Sequence, residues 1–322
     1  MADIQYRPLG RSGLIVSTIG LGCNNFGRAG TASETQAGTD AVIHAALDAG
    51  VTFLDGADIY GKEPGLSETL MGNSLKGRRD KVVLATKFGM DMDGTNGPDW
   101  GARASRRYIR RAVEASLTRL QTDWIDLYQL HEPDGVTPIE ETLAALDELI
   151  AEGKIRYIGH SNLAGWQIAE AEFTAAANGH PRFISAQNEY NLLTRAPEQE
   201  ILPAVNAYGL GFLPWFPLYN GLFTGKFNRS GGPAESRIMR TRSHLQENAP
   251  WDKLEQYERF CAEHGVTMLA ATFAWLLSRP GLTSVIAGAT TPAQIVQNAD
   301  AATSWKPTGA DLAEISELFA AA

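Results

Sequence analysis

The sequence predicts an α/β fold: a (β/α)8 TIM barrel with an N-terminal β-hairpin and long functional loops. Three observations carry this expectation. A chain of 322 residues is longer than most single open sheets need and suits one such barrel with extra segments. Short β-branched or apolar runs alternate with helical patterns, and the runs number eight. No GxGxxG-type phosphate turn follows the first run, so the usual mark of a doubly wound dinucleotide-binding sheet is missing. Such alternation implies parallel strands joined by right-handed crossovers. No low-complexity linker divides the chain, and residues 1–322 are read as one domain.

The elements follow in order. Residues 4–17 (IQYRPLGRSGLIVS) read as a hairpin turned at Gly10-Arg11-Ser12-Gly13, suited to closing the bottom of the barrel. Barrel strands are expected at 18–22, 51–55, 81–86, 123–130, 155–159, 183–187, 211–215 and 283–287. Helices are expected at 36–48, 67–75, 105–120 and 139–152, from Trp166, and at 198–208. Gly50 and Gly153 follow helical runs where a residue of positive φ closes a helix without a Cβ clash. Thr137-Pro138-Ile139-Glu140 reads as cap, first-turn proline and early acid. Ile139, Leu143, Leu146 and Ile150 then form one apolar stripe. Residues 219–250 fall outside the rhythm, a Gly- and Arg-rich excursion of the length that functional lids have. Residues 90–101 (MDMDGTNGPDWG) read as a mobile loop over the mouth.

Composition narrows the class. Hydrophobic residues make up 44% and charged residues 20%, ordinary globular usage that excludes wholesale disorder. A net charge of −9 argues against nucleic acid or an anionic membrane as the main partner and leaves a small molecule. Cys23 and Cys261 are far apart, with no disulfide framework and no metal-ligand spacing, so no metal is expected and a reducing cytoplasm suits the chain. The first residues, MADIQYRPLG, carry no signal-peptide apolar region, and no apolar run reaches the roughly 18 residues a membrane span needs.

In such a barrel, polar residues at the C-terminal ends of the strands converge on one face. The second strand ends in Asp55, with Asp58 and Tyr60 just beyond; the third leads to Lys87, the fourth to His131. The fifth leads to His160-Ser161-Asn162, the sixth to Gln187 and the seventh to Trp215. Taken singly, each has an ordinary explanation: a turn aspartate, a rim tyrosine, an exposed lysine, a structural histidine. Together they deliver an acid, a phenol, an ammonium and an imidazole to one mouth. Burying Lys87 and Asp55 without partners is costly, and pairing them solves that. An ammonium nearby stabilises tyrosinate, so Tyr60 is expected to titrate below its ordinary value of about 10 and to serve as a general acid for a carbonyl oxygen.

The segments LDGADIYG (54–61), LATKFGM (84–90), LYQLHEPD (127–134), TPIEETLAALDELIAEGKIRYIGHSN (137–162), SAQNEYNLL (185–193), LPWFPLYNGLFTGKF (213–227) and SVIAGATTPAQIVQN (284–298) extend this over nearly the whole chain. In that order and spacing the chain resembles the aldo-keto reductase family, in the branch of bacterial reductases and potassium-channel beta subunits. The resemblance implies an oxidoreductase that moves a hydride between a nicotinamide and the carbonyl of an aldehyde, ketone or sugar, with alcohol oxidation as the reverse. It implies a tetrad of Asp55, Tyr60, Lys87 and His131, with Tyr60 the proton donor, Lys87 held by Asp55 and His131 orienting the carbonyl. It assigns Ser161, Asn162 and Gln187 to the carboxamide and Trp215 to stacking on the nicotinamide. Gly22, Cys23 and Asp55 border the same site. Phe216, Pro217, Leu218, Gly221, Lys226 and Arg237 match the pyrophosphate loop, and Gly288, Thr290, Gln294, Gln297 and Asn298 the adenosine end. NADPH is the cofactor expected, with NADH the alternative.

Three positions depart from the family pattern. Gly56 replaces the usual threonine after the aspartate. His160 stands where a small or apolar residue is common, either beside the nicotinamide or on an exposed loop. Phe216 stands where a serine is common. The resemblance also offers a redox-sensing accessory protein with slow catalysis, like the channel subunits. Those lack the fourth-strand histidine, and His131 is present. A third reading is a lyase or isomerase forming a Schiff base on Lys87, which has no use for the Ser161-Asn162-Gln187-Trp215 cradle. Substrate-facing candidates are Asn24, Phe26, Tyr60, Phe88, Met90, Trp100, Tyr219 and residues 229–250, a lining suited to a partly apolar carbonyl compound.

Overall fold

The computed structural model describes residues 4–320. Strands β1 (Tyr6–Pro8) and β2 (Ile15–Ser17) pair antiparallel with Tyr6 opposite Ser17, forming the predicted hairpin. Its turn passes through Gly10 at φ +58°, where a Cβ would lie 2.6 Å from the Ile184 carbonyl oxygen, so only glycine fits. The hairpin plugs the bottom of the barrel. Leu9, Leu14 and Val16 pack inside it against Phe53, Ala85, Leu127, Leu213 and Ile286.

Eight parallel strands form the barrel sheet: β3 (Ile19–Gly22), β4 (Phe53–Asp55), β5 (Val83–Phe88), β6 (Ile125–Leu130), β7 (Ile155–Ser161), β8 (Ser185–Gln187), β9 (Gly211–Phe212) and β10 (Val285–Gly288). Each of β3 to β9 lies beside its chain neighbour, and β10 lies beside β3. The circle closes at the far side. Phe212 bridges Leu282, its amide donates to the Gly281 carbonyl, and the Thr283 amide donates back to the Phe212 carbonyl. The chain is thus a (β/α)8 barrel, as its rhythm implied.

The seventh strand is the shortest because Pro214 has no amide hydrogen to continue the ladder. Trp215 pairs separately with Glu189. The third strand runs two residues later than the apolar run KVVLAT suggests, so Lys87 lies within β5 rather than beyond it. The fifth likewise continues through His160 and Ser161.

Helices α1 (Gln36–Asp48), α2 (Leu66–Ser74), α3 (Arg106–Leu120), α4 (Ile139–Ala151), α5 (Gly165–Asn178) and α6 (Ile201–Tyr208) follow their strands. Gly50 and Gly153 have φ of +82° and +76°, the left-handed geometry expected of them. The start of α4 differs from expectation. Pro138 is itself the cap residue, while the Thr137 hydroxyl donates to Asp134 Oδ2. Asp134 accepts the Val136 and Thr137 amides as well, which folds the turn ahead of α4, and no side chain caps the helix.

The 219–250 excursion is folded. It holds α7 (Arg237–Thr241) and α8 (Ser243–Glu247), anchored by the buried Ile238 and Gln246. Helices α9 (Trp251–Glu263), α10 (Met268–Leu277), α11 (Pro292–Ala301) and α12 (Gly309–Leu318) complete the chain. Among the described residues no single helix is long and apolar enough to cross a membrane.

The 90–101 loop is tied down rather than free. Met92 and Asn96 are buried, Asn96 donates to Asp58 Oδ2, and Arg103 pairs with Asp91 and Asp99.

Candidate active site

Strand alternation decides which side chains reach the mouth. In β4, β5 and β6, Asp55, Lys87 and Gln129 point inward, while Phe88 and Tyr128 stack on each other in the outer core. Lys87 is fully buried. Its ammonium donates to Asp55 Oδ2 at 2.7 Å and to the Gly56 carbonyl at 2.9 Å. The other carboxylate oxygen, Asp55 Oδ1, accepts amide hydrogens from Gln129 at 3.1 Å and Gln187 at 3.2 Å. Burial alone would discharge Lys87, but the Asp55 carboxylate and the Tyr60 phenol outweigh it and hold the ammonium above its ordinary range.

Tyr60 is half-buried, with Lys87 Nζ 5.3 Å from its ring centre and the His131 ring edge-on at 5.9 Å between centroids. The structure corrects one expectation. Burial raises the phenol's pKa more than Lys87 lowers it, so Tyr60 titrates above its ordinary value and stays protonated at neutral pH. His131 is driven down to about 3, first by burial and then by Lys87, and is a neutral imidazole with an unpartnered, buried Nδ1. The four predicted residues therefore do form one cluster. Gln129 belongs to it as well. An amide in the apolar strand IDLYQL, two residues before His131 and on the same face, was the available signal.

The remaining cradle residues are linked to this cluster. Ser161 Oγ donates to the Gln187 carbonyl, and Asn162, at φ +60°, donates its amide to the His131 carbonyl. Trp215 Nε1 donates to Asn162 Oδ1 at 3.2 Å, which fixes the half-buried indole at the rim. Gln187 holds Asp55 through its side chain, a contact the sequence did not suggest. Phe216, at φ +49°, lies edge-on to Trp215 with 4.8 Å between centroids. Pro217 is buried, Leu218 half-buried, Gly221 has φ +106°, and Lys226 is exposed. Gly22 and Gly288 stand opposite each other at the ends of β3 and β10. Thr290 donates its amide and hydroxyl to Gln294 Oε1 ahead of α11; Gln297 is exposed and Asn298 buried.

Several candidates fall elsewhere. Cys23 is buried, its thiol donating to the Leu21 carbonyl, so it offers the mouth only backbone. His160 has the opposite parity to Ser161 and faces the helix layer, edge-on to Phe183 and fully buried, on neither the rim nor an exposed loop. Phe26 and Phe88 are core residues. Trp100 is 72% exposed, with the Arg107 guanidinium over its ring. Asn24, Met90 and Tyr219 are half-buried.

A family model described as Aldo/keto reductase family matches residues 18–319. The chain belongs to the aldo/keto reductase family. It is 38% identical to a Bacillus subtilis (strain 168) protein named uncharacterized oxidoreductase YrpG, over 91% of this chain and 89% of the relative. It is 37% identical to a probable voltage-gated potassium channel subunit beta of Oryza sativa subsp. japonica, over 92% and 90%. It is 34% identical to versiconal hemiacetal acetate reductase of Aspergillus parasiticus, over 86% of each. The protein is thus an oxidoreductase of this family, and its relatives include a bacterial oxidoreductase and a potassium-channel beta subunit.

Proposed function

We propose that this aldo/keto reductase uses NADPH to reduce the carbonyl of an aldehyde, ketone or sugar, with Tyr60 as the proton donor. One observation carries the reading: a fully buried Lys87 ammonium, held by Asp55 and set against the Tyr60 ring, next to a neutral His131. The phenol keeps its proton at neutral pH, as a general acid must, and the ammonium stabilises the phenolate left when that proton goes to the carbonyl oxygen. Asp55, fixed through both oxygens, keeps the ammonium in place. His131, uncharged, orients the carbonyl by hydrogen bonding without competing for the proton.

The chain's residues fit a dinucleotide. The pinned Trp215 indole offers a flat wall beside Ser161 and Asn162. Gly22 and Gly288 leave strand ends without side chains near the N-terminus of α11, where amides favour phosphate. A Cβ at Gly288 would come within 2.9 Å of Asn25 Nδ2. Ser161, Asn162, Gln187 and Trp215 would hold the nicotinamide, Phe216 to Leu218, Gly221, Lys226 and Arg237 the pyrophosphate, and Gly288, Thr290, Gln294, Gln297 and Asn298 the adenosine. When bound, the nicotinamide supplies the hydride that no side chain can carry. NADH is the alternative cofactor.

The test is direct titration with NADPH and NADH, followed by a screen of aldehydes and sugars. Absence of fluorescence change or thermal protection with either nucleotide refutes the reading. The kinship with channel beta subunits supports a second reading, a redox-sensing protein that turns over slowly. It predicts tight NADPH binding with cofactor release limiting every substrate to the same low rate.

A further inference from the structure

Three arginines gather at the rim of the mouth, outside the proton relay. Arg237 opens α7, Arg242 follows it, and Arg28 lies in the loop after β3. The Arg237 and Arg242 guanidinium carbons stand 5.4 and 5.2 Å from the centre of one Phe216 ring. The residue that departs from the family's usual serine is therefore a shelf for two cations. Arg28's loop is held against the same excursion, because the Arg240 guanidinium donates to the Gly30 and Ala29 carbonyls. On its other side the Lys62 amide donates to the Gly27 carbonyl, two residues past Tyr60. Arg28 thus sits between the excursion and the tyrosine loop.

All three are half-buried. Among the described residues none forms an ion pair. Arg28 donates to the Asn24 carbonyl and Arg242 to Asn220 Oδ1. Arg229 of the same excursion is, by contrast, paired with Asp252 and Glu255. Burial and mutual repulsion lower the proton affinity of Arg28 and Arg237, the latter to about 10, and both interact electrostatically with Tyr60. Three partly desolvated like charges with no ion pair, the half-buried Glu189 carboxylate acting on Arg242 only at longer range, are costly, and an oxyanion docked among them relieves the cost.

Two oxyanions compete for the cluster, the cofactor pyrophosphate and a charged group on the substrate. The proposed function gives Arg237 to the former. The loop that carries Arg28 is hydrogen-bonded to the segment just past Tyr60, from the Lys62 amide to the Gly27 carbonyl, which places Arg28 at the substrate end, and Arg242 lies next to it on the Phe216 shelf. We propose that Arg28 and Arg242 bind an oxyanion remote from the reacting carbonyl, so that preferred substrates are carbonyl compounds bearing a carboxylate or a phosphate. This rests on the reductase reading. Guanidinium forks match carboxylate and phosphate alike.

The test compares para-carboxybenzaldehyde, its neutral methyl ester and para-formylphenyl phosphate with NADPH, in wild type, Arg28→Gln and Arg242→Gln, beside NADPH titrations of each protein. In wild type, kcat/KM for at least one charged aldehyde is expected to exceed that for the ester by about tenfold or more, as one charge-assisted contact implies. Each variant is expected to cut that ratio by about tenfold, with the NADPH Kd within about threefold of wild type. Which charged aldehyde leads separates carboxylate from phosphate. A wild-type ratio near one overturns the inference. So does equal loss on charged and neutral aldehydes with weakened NADPH binding, which gives the arginines to the cofactor. Reduction of none of the three aldehydes removes the reductase reading itself, and this inference falls with it.

Discussion

The Gln129 side-chain amide lies 3.1 Å from Asp55 Oδ1, the oxygen that Lys87 does not use. With Gln187 on the same atom, the carboxylate is fixed from both ends. Replacing Gln129 with leucine leaves one of two amides. The expected result is a kcat lower by roughly tenfold, the cost of about one buried hydrogen bond to a charged group, with NADPH affinity retained. Unchanged kcat would show that Lys87 alone positions Asp55.

Tyr60→Phe removes the proposed proton donor and little else. Carbonyl reduction is expected to fall by at least about a hundredfold, as loss of a general acid does, while nucleotide titrations stay as in wild type. Lys87→Met is expected to lose activity too, and to cost about 3–5 kcal/mol of stability, because Asp55 is left buried without its partner. Denaturant unfolding of the two variants separates the effects.

The relay's pH dependence follows from the two shifts. A phenol raised by burial remains protonated through neutral pH, so kcat/KM for reduction should be level there and decline only on the alkaline side, above the ordinary tyrosine value of about 10. A neutral His131, with its pKa near 3, should add no acid limb between pH 5 and 8. A bell centred near 6.5 would contradict this assignment.

His160 makes a stability prediction. It is buried without a partner for either nitrogen, and its pKa is lowered by burial to about 3. Its folded value lies below the unfolded value, so its contribution is complete above about pH 6.5 and is lost as the pH falls towards 3. At pH 5 the loss is about 2 kcal/mol. His160→Leu should flatten the decline of Tm between pH 7 and 5. A slope equal to wild type would place the acid sensitivity elsewhere.

Arg240 latches α7 onto the Gly30 and Ala29 carbonyls. Arg240→Ala is expected to speed proteolytic cleavage within residues 229–248 and leave the melting of the barrel nearly unchanged. Resistance equal to wild type would mean that Ile238 and Gln246 suffice to hold the excursion.

The barrel was legible because period and order survive in sequence. Eight apolar runs with polar residues after them put Asp55, Lys87, His131 and Trp215 at one mouth. Parity was harder to read. Whether His160 faces the mouth, a loop or the helices depends on where β7 begins and ends, and a strand two residues longer than its apolar run turns it to the helices, away from both expected places. Phe88 turns outward by the same parity, and Phe26 is buried in the loop after β3; aromatic residues next to a site look alike in sequence whether they line it or back it. The Tyr60 shift failed differently. Proximity of Lys87 was inferable from sequence, but the degree of burial that outweighs it was not. A glutamine inside an apolar run reads as part of the strand, which hides the role of Gln129 in the sequence.

The hairpin that plugs the barrel has a further consequence for how the protein is made. Its Arg7 guanidinium donates to the carbonyls of Leu277 and Leu282, 270 and 275 residues away, and the Arg11 amide donates to Gly209. The hairpin leaves the ribosome well before these partners and is thus among the last elements to be completed. Until nearly the whole chain is synthesised, Leu9, Leu14 and Val16 have no finished barrel to enter. Such long-range contacts slow folding and leave apolar surface uncovered during synthesis. The hairpin waits for the strands and helices made after it.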